Sequence, residues 1–216
     1  MKQLLLKINH QNFELNTDKS IFWREEKLLM MSDLHLGKES HFRKSGIAVP
    51  EGSGLSTITR LSNLCSYYQP NVLLFLGDLF HSSWNDSCAE YMDIISKFNV
   101  DQLILVSGNH DILAHDVYIN HRIQVIDIFT RHGFHFMHEP FGSNNDLDFC
   151  FSGHIHPAIQ ISKGKLSSQR FPCFAQSTTQ MILPAFGQFT GNVILNPSKN
   201  WKYHFIVQHS LFSLEL

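Results

Sequence analysis

Apolar and polar positions alternate in blocks along this chain, and each central apolar block ends on a small polar cluster. Leu28-Leu29-Met30-Met31 runs into Ser32-Asp33-Leu34-His35, and Val72 to Leu76 runs into Gly77-Asp78. Leu103 to Val106 leads to Gly108-Asn109-His110-Asp111, Phe134 to Met137 to His138, and Phe149-Cys150-Phe151 to Gly153-His154-Ile155-His156. Continuous apolar runs of this length predict strands buried on both faces. Ahead of them, residues 2–8, 12–16 and 20–24 predict three short strands forming an antiparallel edge.

Between the runs the apolar period changes. Leu55, Ile58, Leu61, Cys65 and Tyr68 form one face of a helix that Pro70 ends. Trp84, Cys88, Tyr91, Ile95 and Phe98 form a second stripe, with Ser83 as its N-cap. Strand, helix, strand over 72–106 is a βαβ unit, which requires parallel pairing and a right-handed crossover. Ligands of open parallel sheets bind beyond the carboxyl ends of the strands. Every polar cluster sits at such an end, so residues distant in sequence can meet on one rim. After His156 the pattern becomes strand-rich, at 158–163, 170–175, 179–183, 192–196 and 203–215. That predicts a second mixed sheet against the first, with helices outside, in a single domain over 1–216. The fold class is α/β.

Composition narrows the setting more than the chemistry. At 216 residues, with 43% apolar and 17% charged residues and a net charge of −2, the chain reads as an ordinary globule. Nothing global demands nucleic acid or an anionic membrane. Cys65, Cys88, Cys150 and Cys173 form no CxxC pair and predict reduced thiols. Lys7 interrupts the N-terminal leucines, and no apolar run reaches the roughly 18 residues of a membrane span. A cytoplasmic protein without membrane association is expected.

The polar clusters together supply two carboxylates, one carboxamide and several imidazoles, the mixed oxygen and nitrogen donor set of a divalent-metal hydrolytic centre. The ordered string DxH…GD…GNHD…H…GHxH resembles the calcineurin-like metallophosphoesterase superfamily. That resemblance implies a four-layer α/β/β/α sandwich with two mixed β-sheets. It implies two divalent ions: Asp33, His35 and His156 on the first, Asn109, His138 and His154 on the second, and Asp78 bridging both. In-line phosphoryl displacement by a metal-bridging hydroxide needs such a pair, roughly 3.5–4 Å apart. Two divalent ions against two Asp carboxylates leave the centre at about +2, which attracts a phosphate despite the acidic chain. The resemblance places His110 beside the scissile phosphate, stabilising its charge or protonating the leaving oxygen. Asp111 either orients that imidazole or caps the following turn. His135 competes with His138 but falls before the strand end, on the opposite face. His81, three residues after Asp78, stands where many phosphatases of the superfamily carry a carboxylate supporting the catalytic His, and is a substrate-side candidate.

The segment after the first cluster, DLHLGKxxxFRxxGxxxP, is similar to the bacterial ligase-associated metallophosphoesterase family, as are Leu183-Pro184-Ala185-Phe186-Gly187 and Thr190-Gly191. Asn192 departs from that pattern, where a second Gly is expected. The resemblance implies a phosphodiesterase or DNA endonuclease in repair, working beside an ATP-dependent DNA ligase, an exonuclease and a helicase. It also implies Mn²⁺ as activating metal, with Fe, Zn or Ni as ions that crystals would admit. Lys38, Arg43 and Lys44 would meet phosphates flanking the cut, and Phe42 would stack on a base. Two other readings use the same motifs. One is a nucleotide-lipid or nucleotide-sugar pyrophosphatase; a lipid substrate would call for an apolar or amphipathic lid, whereas 37–50 is basic. A non-catalytic scaffold of this fold would have lost ligand residues, and none is lost.

Overall fold

The computed structural model describes residues 2–38, 53–81, 86–141, 149–162, 168–188 and 190–215. The first sheet contains β1 (Gln3–Ile8), β2 (Gln11–Asn16), β3 (Ile21–Trp23), β4 (Leu28–Met31), β5 (Val72–Leu76), β6 (Gln102–Val106) and β7 (Ile123–Ile126), in that spatial order. β1 to β4 pair antiparallel and β4 to β7 parallel. Helix α1 (Ser53–Tyr68) joins β4 to β5, and α2 (Asp86–Ser96) joins β5 to β6 as the predicted βαβ unit. The short α3 (His115–Asn120) precedes β7. The expected cap Ser83 and Trp84 lie outside the described residues.

The second sheet is also mixed. It comprises β8 (Phe129–Arg131), β9 (Phe134–Phe136), β10 (Phe149–Ser152), β11 (Pro157–Ser162), β12 (Ser168–Gln176), β13 (Gln180–Ile182), β14 (Val193–Ile194), β15 (Lys202–Val207) and β16 (Ser210–Glu215). The apolar run expected as one strand over 203–215 is a hairpin, reversed at Gln208, which adopts a φ of 52°.

Alternation along the strands sorts side chains into layers. Leu29, Met31, Leu73, Phe75, Leu103 and Leu105 face the helices, meeting Ile58, Leu61, Leu64, Cys88, Tyr91 and Ile95. Leu55, expected within the helical stripe, is instead 51% exposed. Leu28, Met30, Leu74, Leu76 and Val106 face the second sheet and pack on Phe134, Phe136, Phe149, Phe151 and Phe174. Among the described residues, the far face of the second sheet is covered by side chains of strands and loops, including Tyr203, Trp201 and Leu195. The four cysteines form no disulfide, and burial pushes the thiols of Cys65, Cys150 and Cys173 up to about 12. No helix among the described residues is long and apolar enough to cross a membrane.

His204 lies fully buried in the second sheet. Its Nε2–H donates to Gln176 Oε1 at 2.9 Å, and its Nδ1 accepts from the Ser213 hydroxyl at 2.8 Å. Burial, aided by the Lys202 charge, pushes its pKa down to about 4. The unfolded chain, with an ordinary His pKa of about 6.5, therefore binds the extra proton first. The stabilisation is complete above about pH 6.5 and is lost as pH falls towards 4, by of order 3 kcal/mol. Urea unfolding at pH 7.5 and 4.5 should show that loss in wild type and a smaller one in His204→Gln, which does not titrate.

Candidate metal centre

The two sheets meet at the carboxyl ends of their parallel strands. Ser32, just beyond β4, forms an isolated bridge with Ala185, and its carbonyl accepts from Phe186 N at 2.8 Å. The Asp33 carbonyl accepts from Gly187 N at 3.0 Å, so the Leu183–Gly187 segment braces the first cluster from behind. Arg60 of α1 locks this brace, bonding the Phe186 carbonyl while its guanidinium lies 4.0 Å from the centre of the Phe186 ring.

The donor residues project from loops two to four residues past β4, β5, β6, β9 and β10, and the structure brings them together. Asp33, His35, Asp78 and His138 are buried; His110 and His156 are half-buried; Asn109 and His154 are exposed. The carboxylates thus form the floor, and the carboxamide and several imidazoles form an open rim. Asp33, His35, Asp78, His154 and His156 all adopt positive φ, between 47° and 66°. For residues with a Cβ such backbone costs about 1 kcal/mol or more apiece and persists only where surrounding contacts over-determine it. Its concentration here marks a site built for geometry. Glycines permit the close approach: a Cβ on Gly77, itself at φ 80°, would collide with the His138 ring, and one on Gly108 with the Asp78 amide.

Asp33, His35 and His156 bring one donor atom each within 4.8 Å of one another, and so do Asp33, Asp78 and His138. The two groups share the Asp33 carboxylate, beyond the single role expected of it. His156 Nε2 is 3.2 Å from Asp33 Oδ1. Asp78 turns its oxygens apart: Oδ2 is 3.6 Å from His35 Nε2, and Oδ1 is 3.6 Å from His138 Nε2. Around His138 Nε2, Asn109 Oδ1 lies at 3.0 Å and His154 Nδ1 at 3.1 Å.

The tautomers follow from the partners. His138 Nδ1 faces the Leu76 carbonyl at 2.9 Å, and His156 Nδ1 faces the Gly191 carbonyl at 3.0 Å. A carbonyl only accepts, so both Nδ1 atoms carry a proton, and in the neutral ring each Nε2 presents a lone pair to the cluster. This is the support that metal-bound histidines receive. In the neutral ring, His138 Nε2 then meets the Asn109 oxygen lone pair to lone pair, an arrangement that a cation relieves. Two donors about 2.1 Å from one ion, at near right angles, stand about 3 Å apart, as these do. His35 points the same way: both ring nitrogens are buried without a hydrogen-bond partner. Burial, with Lys38 and the neighbouring histidines, pushes its pKa down to about 2, so the ring is a neutral donor. Burial opposes charge on His156, but the Asp33 carboxylate outweighs it and leaves the pKa raised. The donor set fits divalent ions.

His110 stands beside these donors. Its backbone N–H donates to Asp78 Oδ1 at 2.9 Å, and its ring centre is 5.4 Å from that of His35 and 5.1 Å from that of His81. His81 therefore reaches the site. Lys38 borders it, close enough for its charge to act on His35 and Asp78. Phe42, Arg43 and Lys44 lie outside the described residues. His135 faces Thr130 Oγ1 at 3.2 Å, within the β8–β9 hairpin.

Asp111, expected either to orient the His110 imidazole or to cap the following turn, accepts from main-chain amides. Oδ2 accepts from Asp78 N at 2.8 Å and Gly108 N at 2.9 Å, and Oδ1 from Leu79 N at 3.0 Å. The carboxylate ties the loop after β5 to the loop after β6. Burial pushes its pKa up to about 6, against the pull of the Gly108 amide. Asp111→Ala should strand three amides, each costing about 1–3 kcal/mol if left unsatisfied. Thermal melts should show a large loss of stability, and metal titrations a weaker site. A variant that melts like wild type would show that the tie does not hold the two loops.

The model of the calcineurin-like phosphoesterase family matches residues 26–158, a span that contains all five polar clusters. The crystal structure of Pseudomonas putida nuclease MPE is similar at 27% identity, covering 99% of this chain and 100% of that one, with a TM-score of 0.80. A phosphoesterase of E. coli, YfcE, matches at 13% identity over 87% of this chain and 97% of its own, with a TM-score of 0.42. No curated protein matches by sequence.

Proposed function

Because the chain belongs to the calcineurin-like phosphoesterase family and is a metal-dependent phosphoesterase, we propose that it is a two-metal phosphodiesterase that cuts DNA. The observation that carries this reading is the placement of Asp78, whose Oδ2 lies 3.6 Å from His35 Nε2 and whose Oδ1 lies 3.6 Å from His138 Nε2. Asp33, His35 and His156 would hold one ion and Asn109, His138 and His154 the other, with Asp78 between them. Two bound divalent ions would supply a water acidified to hydroxide near neutral pH and a clamp on the attacking and leaving oxygens.

The protein's own groups do the rest. Asn109 ligates without adding negative charge, which keeps the centre attractive to a phosphate anion. His110, fixed through its main chain to Asp78, presents its ring to the scissile phosphate and gives a proton to the departing ester oxygen. His81 and Lys38 flank the same phosphate. Full-length similarity to a nuclease at 27% identity supports a nucleic-acid diester as substrate. Within this reading the enzyme is cytoplasmic, uses Mn²⁺, and acts in repair beside an ATP-dependent ligase, an exonuclease and a helicase.

The test compares a generic phosphodiester, a phosphomonoester and single-stranded or duplex DNA, each with Mn²⁺. Turnover of the diester and of DNA is expected. A preference for the monoester would overturn the diesterase reading, and diester turnover without DNA cleavage would overturn the substrate.

A further inference from the structure

A second concave site lies at the opposite end of β10. Phe149, the first residue of that strand, lines a groove of about 820 Å³, while Ser152, its last, leads into His154. Three loops meet there: the β1–β2 turn at Asn9, the β12–β13 turn at Ser177 to Thr179, and the stretch Lys199 to Trp201 before β15. The volume is within the usual range for small-molecule sites, but the lining is polar and cationic where such sites are mostly apolar.

Lys7, Lys199 and Lys202 face Glu215 alone in this lining, on a chain whose net charge is −2. Lys202 Nζ pairs with Glu215 at 3.0 Å. Lys7 and Lys199 are exposed and form no ion pair among the described residues. Trp201 lines the same groove half-buried, held by its packing against the outer core of the second sheet.

These features ask for one ligand chemistry. Two ammonium groups without an ion pair want a phosphate, and an anchored indole offers a stacking platform. An acidic peptide would satisfy the lysines and leave the indole unused. We infer that this groove binds a nucleotide, phosphate on Lys7 and Lys199 and base against Trp201. The nucleotide is either free or one unit of a single strand. The site goes beyond the proposed function and does not depend on it, since no groove residue belongs to the metal centre.

The test uses the full chain stripped of metal by EDTA, so that catalysis is silent. Binding of a labelled oligothymidylate and of dAMP is measured for wild type and for the Lys7→Ala/Lys199→Ala double variant across salt concentrations. The double variant should lose at least fivefold in affinity, and for the oligonucleotide its salt slope should fall by about 0.7, the value for one phosphate no longer neutralised on a single strand. Its melting temperature and its Mn²⁺-dependent hydrolysis of a small diester should match wild type. Loss of dAMP binding identifies a free nucleotide; loss confined to the oligonucleotide identifies a strand. Equal binding of both probes by wild type and variant, or binding of neither by wild type, overturns the site. Absent small-diester hydrolysis in wild type with intact groove binding would sink the catalytic reading alone.

Discussion

Asp78→Asn is expected to empty the centre of one or both metals and to lower diester hydrolysis on the order of 10³-fold or more, while the protein still folds. The side chain keeps its shape, and an amide oxygen still accepts from His110 N, the bond made by Asp78 Oδ1 at 2.9 Å. Asn tolerates the positive φ of this position nearly as well as Asp. What disappears is one of two anionic oxygens, each aimed at a different histidine. A single neutral oxygen cannot draw two cations to one separation, and the several kcal/mol by which bound cations stabilise a phosphoryl transition state go with them. Two buried carboxylates, Asp33 and Asp78, crowd this floor, and burying a charge costs several kcal/mol unless it is compensated. The metal-free Asn variant should therefore melt no lower than metal-free wild type. Metal analysis, melting with and without EDTA, and turnover with Mn²⁺ check all three effects. Two metals per chain with near-normal turnover would end the bridging role of Asp78.

The strand-end logic of the sequence located this site because it rests on chain geometry. Parallel strands whose apolar runs stop together must deliver their next residues to one rim, and Asp33, Asp78, Asn109, His138 and His154 do arrive there. What the strands hand over to loops is less legible. A carboxylate after a strand end can face an imidazole or a backbone amide with the same local sequence, and Asp111 takes three amides. Arg60 carries no signal, since its partner is a carbonyl 126 residues away. Nor do the Leu76 and Gly191 carbonyls that set two imidazole tautomers, because backbone acceptors have no residue type. The glycines of the Gly-Asp and Gly-Asn-His motifs are the visible trace of that crowding. On the fold side, β7 escapes the apolar pattern because Ile-Gln-Val-Ile is a half-exposed edge strand without an apolar run. The 203–215 hairpin reads as one strand because its turn, Gln208-His209, contains neither Gly nor Pro.

Positive φ at five site residues and lone-pair contacts around His138 oppose folding of the metal-free chain, so bound metal should stabilise the protein as well as activate it. The same physics separates ligands from neighbours. Residues that hold metal should change melting and activity together, and residues that only meet substrate should change activity alone.

His110→Ala is the substitution that falls on the second side of that line. Its tie to the centre is a main-chain N–H to Asp78 Oδ1, which alanine retains, so metal content should stay near two per chain and melting near wild type. The lost imidazole removes a proton donor worth about 10²–10⁴ in rate. The loss should scale with the leaving group. DNA departs as an alkoxide that needs the proton, whereas a p-nitrophenyl ester departs as a stabilised phenolate that scarcely does. Turnover of DNA should accordingly fall by the full factor and that of the p-nitrophenyl diester by about tenfold or less. Equal losses on the two substrates would assign His110 to charge stabilisation of the phosphate instead of proton transfer. Loss of metal in the variant would make it part of the ligand set. His81, whose ring centre is 5.1 Å from that of His110, is the nearest group able to substitute for it. The double variant His81→Ala/His110→Ala then decides whether any residual DNA cleavage passes through that second ring.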